Sequence, residues 1–184
     1  MYITTLPDID NALIIDSLVH VKTSIPESWI IPCDTSLFEN SQLYNDPMLQ
    51  ELTSKIYQEI INYCLELNVD LENFSPIIQD MWVNNYSIHT GQELHLHTNY
   101  HISGIYVVDA DENSEDIVFE SPLVDKEMLE LPVYNFNNLL RIKTEKNKLI
   151  LFRSWLRHGV QSHKKSTTRK TIAFNCKLVL KSKN

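Results

Sequence analysis

Three histidines are the residues of this chain whose types and spacing best suit chemistry. His95 and His97 form an H-x-H in a segment whose alternation predicts a β-strand, so both would lie on one face with Leu96 on the other. Two imidazoles on one face can bind one metal ion, and His158, in LILFRSWLRHGV, is the best candidate for a third ligand. The competing interpretation is that they are polar residues on the open face of a sheet.

Two further pairs of residues suit the binding of a small acid. On a strand Arg169 and Thr171 would share a face, and a guanidinium beside a hydroxyl is a good clamp for a carboxylate. Asn84 and Tyr86 would likewise share a face, where an amide and a phenol could hold the other end of the acid. Taken alone, each pair also fits ordinary strand residues that face solvent.

The elements that must position these residues are mostly strands. Asp46 and Pro47 predict a helix start, and apolar residues at three-to-four spacing then predict one packing α-helix near residues 46–68. From Ile77 the pattern has period two and gives about eight short strands. We therefore predict a mainly β fold, a jelly roll with one helix laid against it.

The predicted domain organisation is a single domain over residues 1–184. Residues 1–75 would supply short edge strands or turns and the helix, and residues 76–184 would form the jelly-roll core with the site. Residues 162–168 are predicted to be the polar tip of a hairpin. Trp82 and Trp155 are interpreted as core residues.

Composition limits the partners and the compartment. A net charge of −8 argues against nucleic acid as a partner, and the basic cluster of Lys164, Lys165, Arg169 and Lys170 is interpreted as a solvated hairpin face. Three widely spaced cysteines predict reduced thiols. Because no apolar run approaches the roughly 20 residues of a membrane span, and residues 1–8 lack the pattern of a signal peptide, a cytoplasmic protein is expected.

Together these motifs resemble a known family. The order N-x-Y, G…H-x-H, SG-x-Y, LFRSWLRHGV and R-x-T-x-x-x-N over residues 82–178 is similar to the Fe(II)/2-oxoglutarate-dependent oxygenases. The likeness is greatest to a small branch common in phage and marine bacterial genomes, so the host cytoplasm would be the location if a phage encodes the chain. The resemblance implies a double-stranded β-helix, with Fe(II) as cofactor and 2-oxoglutarate as co-substrate.

The resemblance also implies roles for individual residues. His95 and His158 would bind iron, Arg169 with Thr171 would bind the distal carboxylate of 2-oxoglutarate, and Asn84 and Tyr86 would touch the co-substrate. The implied reaction is hydroxylation of an unknown substrate, with oxidative decarboxylation of 2-oxoglutarate to succinate. No catalytic residue beyond the metal centre is implied.

One position departs from the family pattern. The family has H-x-D or H-x-E, whereas this chain has His97 in place of the carboxylate. We favour His97 itself as the ligand; Glu93, which would share its face, is the nearest alternative, and an open ligand position is the third.

Two other functions compete with an oxygenase. In a cupin-like protein His101 would join the three histidines at one metal, and no co-substrate would bind. In a non-enzymatic jelly-roll module the histidines would be incidental.

Overall fold

The structure, a computed structural model, describes residues 1–123, 138–165 and 167–182. Within these ranges the chain forms ten strands. They are β1 (Tyr2–Thr5), β2 (Asp34–Thr35), β3 (Phe74–Asn85), β4 (Gln92–His95), β5 (Ile102–Asp109), β6 (Ile117–Glu120), β7 (Leu139–Ile142), β8 (Lys148–Arg153), β9 (His158–Val160) and β10 (Lys170–Leu180). There are two α-helices, α1 (Asn11–Leu18) and α2 (Gln50–Glu66).

The strands form two antiparallel sheets. The larger has the order β1-β8-β5-β10-β3-β2, and the smaller has the order β4-β9-β6-β7. An apolar cluster joins their facing surfaces, with Ile105, Ile150 and Phe152 from the larger sheet and Ile117, Phe119 and Ile142 from the smaller. This mainly β, two-sheet arrangement confirms the predicted jelly roll.

Period-two alternation gives the larger sheet two different faces. On β10, Ile172 and Phe174 belong to the cluster that packs under the helices. Thr171 and Ala173 point the other way and line a cavity between the sheets. The alternation that buries the core therefore also directs polar side chains of the same strand into the molecule.

Helix α2 confirms the predicted packing helix. The Asp46 carboxylate accepts a hydrogen bond of 2.9 Å from the Met48 amide, a 3-10 turn over Pro47–Leu49 follows, and the α-helix begins at Gln50. Its buried residues, at three-to-four spacing, are Leu52, Ile56, Ile60, Tyr63 and Cys64. Burial of each Leu or Ile side chain contributes about 1.5–3 kcal/mol to anchoring the helix on the sheet.

The expectation of only strands or turns before residue 46 is wrong for Asn11–Leu18, which is helix α1. The Asp10 carboxylate caps it by accepting from the Ala12 amide at 2.9 Å. Ile14 and Leu18, one helical turn apart, are buried against the core. The β-branched run of Ile14 and Ile15 favours a strand, but the cap and the burial of one helical face outweigh that preference.

The predicted hairpin around residues 162–168 is also wrong. Strand β9 pairs with β4 and β6 in the smaller sheet, whereas β10 pairs with β3 and β5 in the larger one. The connection therefore crosses from one sheet to the other, and Ser166 within it lies outside the described residues. The sequence of residues 133–152 also predicts two strands separated by a turn at residues 144–147. They are present as β7 and β8, in different sheets, and residues 133–137 lie outside the described residues.

Smaller expectations concern the cysteines, two tryptophans and membrane-spanning helices. Cys33, Cys64 and Cys176 are free and buried. Trp82 is buried as predicted, but the prediction for Trp155 is wrong because 53% of its surface is exposed. None of the helices in the described part of the chain combines the length and the apolar character that crossing a membrane requires.

Candidate functional site

The structure brings His95, His97 and His158 together. One nitrogen from each ring lies within 4.8 Å of the other two, and among the described residues no other group of acidic, histidine or cysteine side chains is so placed. His95 and His158 face each other across the β4–β9 pair. Strand β4 ends at His95, so His97 follows the strand, where a 2.9 Å hydrogen bond from its backbone amide to the Ser154 carbonyl holds it beside the others.

Each imidazole is oriented through its Nδ1 atom. His95 Nδ1 lies 2.8 Å from the Glu93 carbonyl oxygen, and His158 Nδ1 lies 3.0 Å from the Leu156 carbonyl oxygen. His97 Nδ1 contacts the side-chain oxygen of Asn175. Because these oxygens only accept hydrogen bonds, each Nδ1 carries the proton and each Nε2 keeps a free lone pair. Three such lone pairs in one cluster suit a metal ion.

Burial keeps the three rings neutral. Desolvation is the main cause that lowers the pKa of His95, lowers the pKa of His97 to about 4 and lowers the pKa of His158 well below its ordinary value. The mutual repulsion of the rings lowers the pKa of His97 and His158 further. At neutral pH the cluster is therefore in the unprotonated form that metal binding requires.

A buried polar network holds His97. The Ser103 hydroxyl donates to the Asn175 side-chain oxygen at 2.8 Å and lies 2.9 Å from the Ser154 hydroxyl. It also lies 3.2 Å from His97 Nδ1. Ser103, Ser154 and Asn175 are almost fully buried. Since His97 has no strand pairing of its own, this network fixes the direction of its ring.

The predicted acid-binding residues line the same cavity as the histidines. Thr171 reaches it from β10 and Arg169 from the position just before that strand, and Asn84 and Tyr86 reach it from β3 and its end. All four are buried, and Arg169 is only 1% exposed. The interpretation of Arg169 as part of a solvated basic face is therefore wrong.

Several polar atoms around this inner cavity have no hydrogen-bond partner among the described residues. They are Arg169 Nε and Nη2, Thr171 Oγ1, Asn84 Oδ1 and Trp82 Nε1. A buried polar atom without a partner is costly, and a buried unpaired charge is more so. The unpaired atoms therefore favour binding of a polar ligand, and the two arginine donors beside the hydroxyl favour an anion.

The rest of the guanidinium is held in place. Arg169 Nη1 donates to the Glu115 carbonyl oxygen at 2.6 Å, and the Arg169 Cζ atom lies 4.5 Å from the centre of the Tyr86 ring. The Tyr86 hydroxyl donates in turn to Gln92 Oε1 at 2.9 Å. His163, which sequence reasoning did not place, is buried with its ring 5.6 Å from that of Tyr86. These contacts fix the guanidinium while leaving Nε and Nη2 free for a guest.

Neither alternative ligand belongs to the cluster. Glu93 lines a neighbouring hollow with Trp29, Ile31 and His95, and His101 is exposed, with its Nδ1 accepting a hydrogen bond from the Leu178 amide. The β4–β9 pairing has a register shift between Gln92 and His95. The four-histidine arrangement expected for a cupin-like site does not form.

Sequence reasoning missed two residues near the site. Gln92 lines the cavity together with His95, because the same register shift turns it inward. Asp80 precedes Trp82 and Asn84 on one face of β3 and lines an outer cleft beside His95 and His97. The period-two pattern could have placed Asp80 on the face of Trp82, but an acidic residue two positions before a tryptophan is not a distinctive motif.

A close backbone approach allows β4 and β9 to bring their histidines together. A Cβ atom on Gly159 would lie 2.7 Å from the Gln92 carbonyl oxygen, closer than real contacts allow. Only glycine fits at this point. Gly159, the residue after His158, therefore helps to set the spacing of the three histidines.

Comparison with known proteins agrees with this geometry. A family profile described as "Putative 2OG-Fe(II) oxygenase" matches residues 80–175, just over half of the chain. No curated protein matches. Among solved structures, an oxidoreductase of the 2OG-Fe(II) oxygenase family from Burkholderia pseudomallei is similar with a TM-score of 0.63 and 12% identity, covering 95% of this chain and 85% of its own.

Two other solved structures share the fold. A prolyl-4-hydroxylase from Pseudomonas putida has a TM-score of 0.62 at 7% identity, covering 95% of this chain and 90% of its own. HygX from Streptomyces hygroscopicus, solved with nickel and 2-oxoglutarate bound, has a TM-score of 0.63 at 9% identity, covering 95% and 82%. At these identities the likeness establishes the fold, and the family profile over residues 80–175 establishes that this chain belongs to the 2OG-Fe(II) oxygenases, enzymes that use Fe(II) and 2-oxoglutarate.

Proposed function

We propose that this oxygenase is a hydroxylase that converts substrate C–H, 2-oxoglutarate and O₂ into substrate C–OH, succinate and CO₂. The observation that carries the proposal is the buried Arg169, whose Nε and Nη2 atoms lack partners in the described structure, in the cavity that the three histidines line. A fixed, desolvated guanidinium beside a cluster of free imidazole lone pairs is the pattern expected for an acid that also binds a metal.

The histidines fit the iron. His95, His97 and His158 would hold it through Nε2, since each Nδ1 is engaged with an oxygen atom. A three-coordinate protein site leaves positions open for a co-substrate. His97, rather than Glu93, is the proposed second ligand because Glu93 lies outside the cluster.

The side chains that line the inner cavity suit the carboxylates of 2-oxoglutarate. Arg169 would donate two hydrogen bonds to the distal carboxylate, and Thr171 would donate a third from a hydroxyl that has no partner in the described structure. Asn84, also buried there, and Tyr86, whose ring packs on the guanidinium, would complete the wall. These placements suit an acid of this kind, with one carboxylate at the arginine and its other end toward the histidines.

When both groups are bound they supply one chemistry, the reduction of O₂ coupled to decarboxylation of the co-substrate and oxidation of a C–H bond. The chain's own residues bind, orient and shield. Phe152 packs against His158 at 4.4 Å between ring centres, and Phe119 packs against it at 5.8 Å. These rings keep water from that side of the cluster, and the Nδ1 hydrogen bonds keep the imidazoles from turning.

His97 changes the charge balance of the proposed centre. Two histidines and one carboxylate would leave Fe(II) with one net positive charge, whereas three neutral histidines leave two. The extra charge should favour an anionic co-substrate and shift the redox behaviour of the iron. Zinc and nickel also become stronger competitors, since their intrinsic affinities for such ligands exceed that of iron.

An anaerobic titration tests the proposal. The metal-free protein is titrated with Fe(II) and then with 2-oxoglutarate while the visible absorption is recorded. We expect a weak charge-transfer band that needs both components, because the co-substrate would chelate the iron inside the cavity. Succinate as a control, which lacks the keto group, should give no band.

Three results would count against it. Metal binding without the band, and without any rise in Tm on adding 2-oxoglutarate, would remove the co-substrate from the inner cavity. Retention of full metal occupancy by His158→Ala would remove that residue from the centre. Absence of metal binding altogether would reject the three-histidine site.

A further inference from the structure

An outer cleft adjoins the proposed metal centre. We define it by Trp29, Phe38, Asp80, Leu96 and Tyr100, which line it together with His95 and His97. Trp82, Gln92 and the same two histidines also line the inner cavity, so the two spaces meet at the proposed metal. A molecule in the outer cleft would thus face the reacting position, while 2-oxoglutarate would occupy the inner cavity.

The outer cleft carries one negative charge. Apart from the two histidines, Asp80 is the one acidic or basic side chain among its lining residues, and no ion pair to Asp80 occurs within the described part of the chain. The Tyr100 phenol lies near the Asp80 carboxylate, which is the main cause that raises the pKa of the phenol to about 12. Lys177 lies 5.5 Å from the centre of the Tyr100 ring but does not line the cleft.

The remaining wall is largely apolar. Trp29 and Phe38 meet edge to face with ring centres 6.2 Å apart, and Phe38 is 66% exposed. Leu96 lies between the two histidines in sequence and is also exposed. Aromatic faces attract cations as well as apolar groups, so they are compatible with a positively charged guest.

We propose that the outer cleft binds a substrate that carries a protonated amine next to an apolar group, with the ammonium paired to Asp80 and the apolar part against Trp29 and Phe38. This assignment rests on the proposed function, since it makes the neighbouring C–H bonds the ones presented to the metal. An anionic substrate would meet Asp80 without a compensating cation, and the buried anion donors lie inside the inner cavity around Arg169. The two spaces therefore separate their ligands by charge.

Three probes of one shape and different charge test the proposal. Benzylamine, benzyl alcohol and benzoate are each titrated by calorimetry into the full-length protein loaded with Zn(II), which has no redox chemistry, and 2-oxoglutarate. We expect benzylamine to bind about tenfold more tightly than benzyl alcohol, and benzoate to bind more weakly still in the outer cleft. Asp80→Asn should remove the preference for benzylamine, while Glu27→Gln, which removes an exposed acid that does not line the cleft, should leave it unchanged.

The opposite results would overturn it. Equal binding of benzylamine and benzyl alcohol, tighter binding of benzoate, or equal loss in Asp80→Asn and Glu27→Gln would each reject the charge assignment. Because the three probes are compared on the unaltered protein, the test holds even if Asp80→Asn fails to fold. Failure of 2-oxoglutarate to bind, with an Asp80-dependent amine preference retained, would reject the proposed function alone.

Discussion

Arg169 is the residue on which the proposed co-substrate pocket depends most. Desolvation is the largest influence on its guanidinium and lowers its pKa, yet the group is fixed by the Glu115 carbonyl and the Tyr86 ring. The protein thus holds a charge in a buried place without an acidic side chain at ion-pair distance in its described part. The free-energy cost of burying this charge is offset if a bound anion pairs with the guanidinium.

Replacement of Arg169 by Ala is expected to lower the affinity for 2-oxoglutarate by roughly a hundredfold or more, because two charge-assisted hydrogen bonds are lost. Thr171→Val, which keeps the shape and removes one hydroxyl, should lower it by roughly tenfold. Calorimetry with the Zn(II)-loaded protein measures both. Zn(II) affinity should stay near normal in each variant; joint loss of metal and acid binding would make Arg169 a structural residue.

At the level of single residues, sequence reasoning found those that regular strands position. Thr171 on β10 and Arg169 just before it line one cavity, and Asn84 shares a face with Trp82 on β3, so period two was sufficient to group them. Gln92 was missed because the β4–β9 register shifts there. An irregularity of one residue exchanges the two faces of a strand, and composition gives no sign of it.

The next scale is that of the strands β4 and β9, which bring the histidines together. Their approach depends on Gly159, where any side chain would meet the Gln92 carbonyl oxygen. The cost of a bulkier residue would be a wider separation of the two backbones. His95 and His158, paired across these strands, would then move apart.

Gly159→Ala is therefore expected to lower Zn(II) affinity by roughly tenfold to a hundredfold while the fold is retained, since metal sites tolerate little displacement of their ligands. Competition with a coloured chelator gives the affinity, and far-ultraviolet circular dichroism checks the fold. Leu140→Ala, at an exposed position in the same sheet, is the matched control. Unchanged affinity in Gly159→Ala would mean that the two strands can separate without moving the histidines.

Elements were predicted well where local pattern decides them. Helix α2 and strands β3 and β10 have long periodic segments, whereas α1 has only eight residues with a β-branched centre. Strand pairing was harder to predict, because β9 and β10 are close in sequence but belong to different sheets. Which sheet a strand joins depends on packing between distant segments, and this is not encoded in the alternation of the strand itself.

At the scale of the whole molecule, the buried and partly buried histidines connect stability to pH. The pKa of His97 is about 4 in the folded metal-free protein, and those of His95, His158 and His163 are also lowered, mainly by desolvation. An unfolded histidine has a pKa of about 6.5. Protons therefore bind the unfolded chain more readily, so stability is full above about pH 6.5 and falls as the pH drops toward about 4.

The metal-free protein should accordingly unfold at progressively lower denaturant concentration between pH 7 and pH 5. Urea unfolding followed by circular dichroism measures this slope. His97→Gln, which removes one of the groups, should make the slope shallower, whereas His20→Gln, at an exposed position, should not alter it. A slope equal in all three proteins would show that the buried histidines do not control it.

The place of β10 in the larger sheet also determines when the molecule can form. This strand lies between β3 and β5, although it follows both of them, and every other described strand, in sequence. During synthesis on the ribosome β3 and β5 therefore emerge without the strand that joins them, and the sheet cannot close until residue 180 has left the exit tunnel. Arg169 and Thr171 arrive with that strand, so the nascent chain has no pocket for the co-substrate before its sheet is complete.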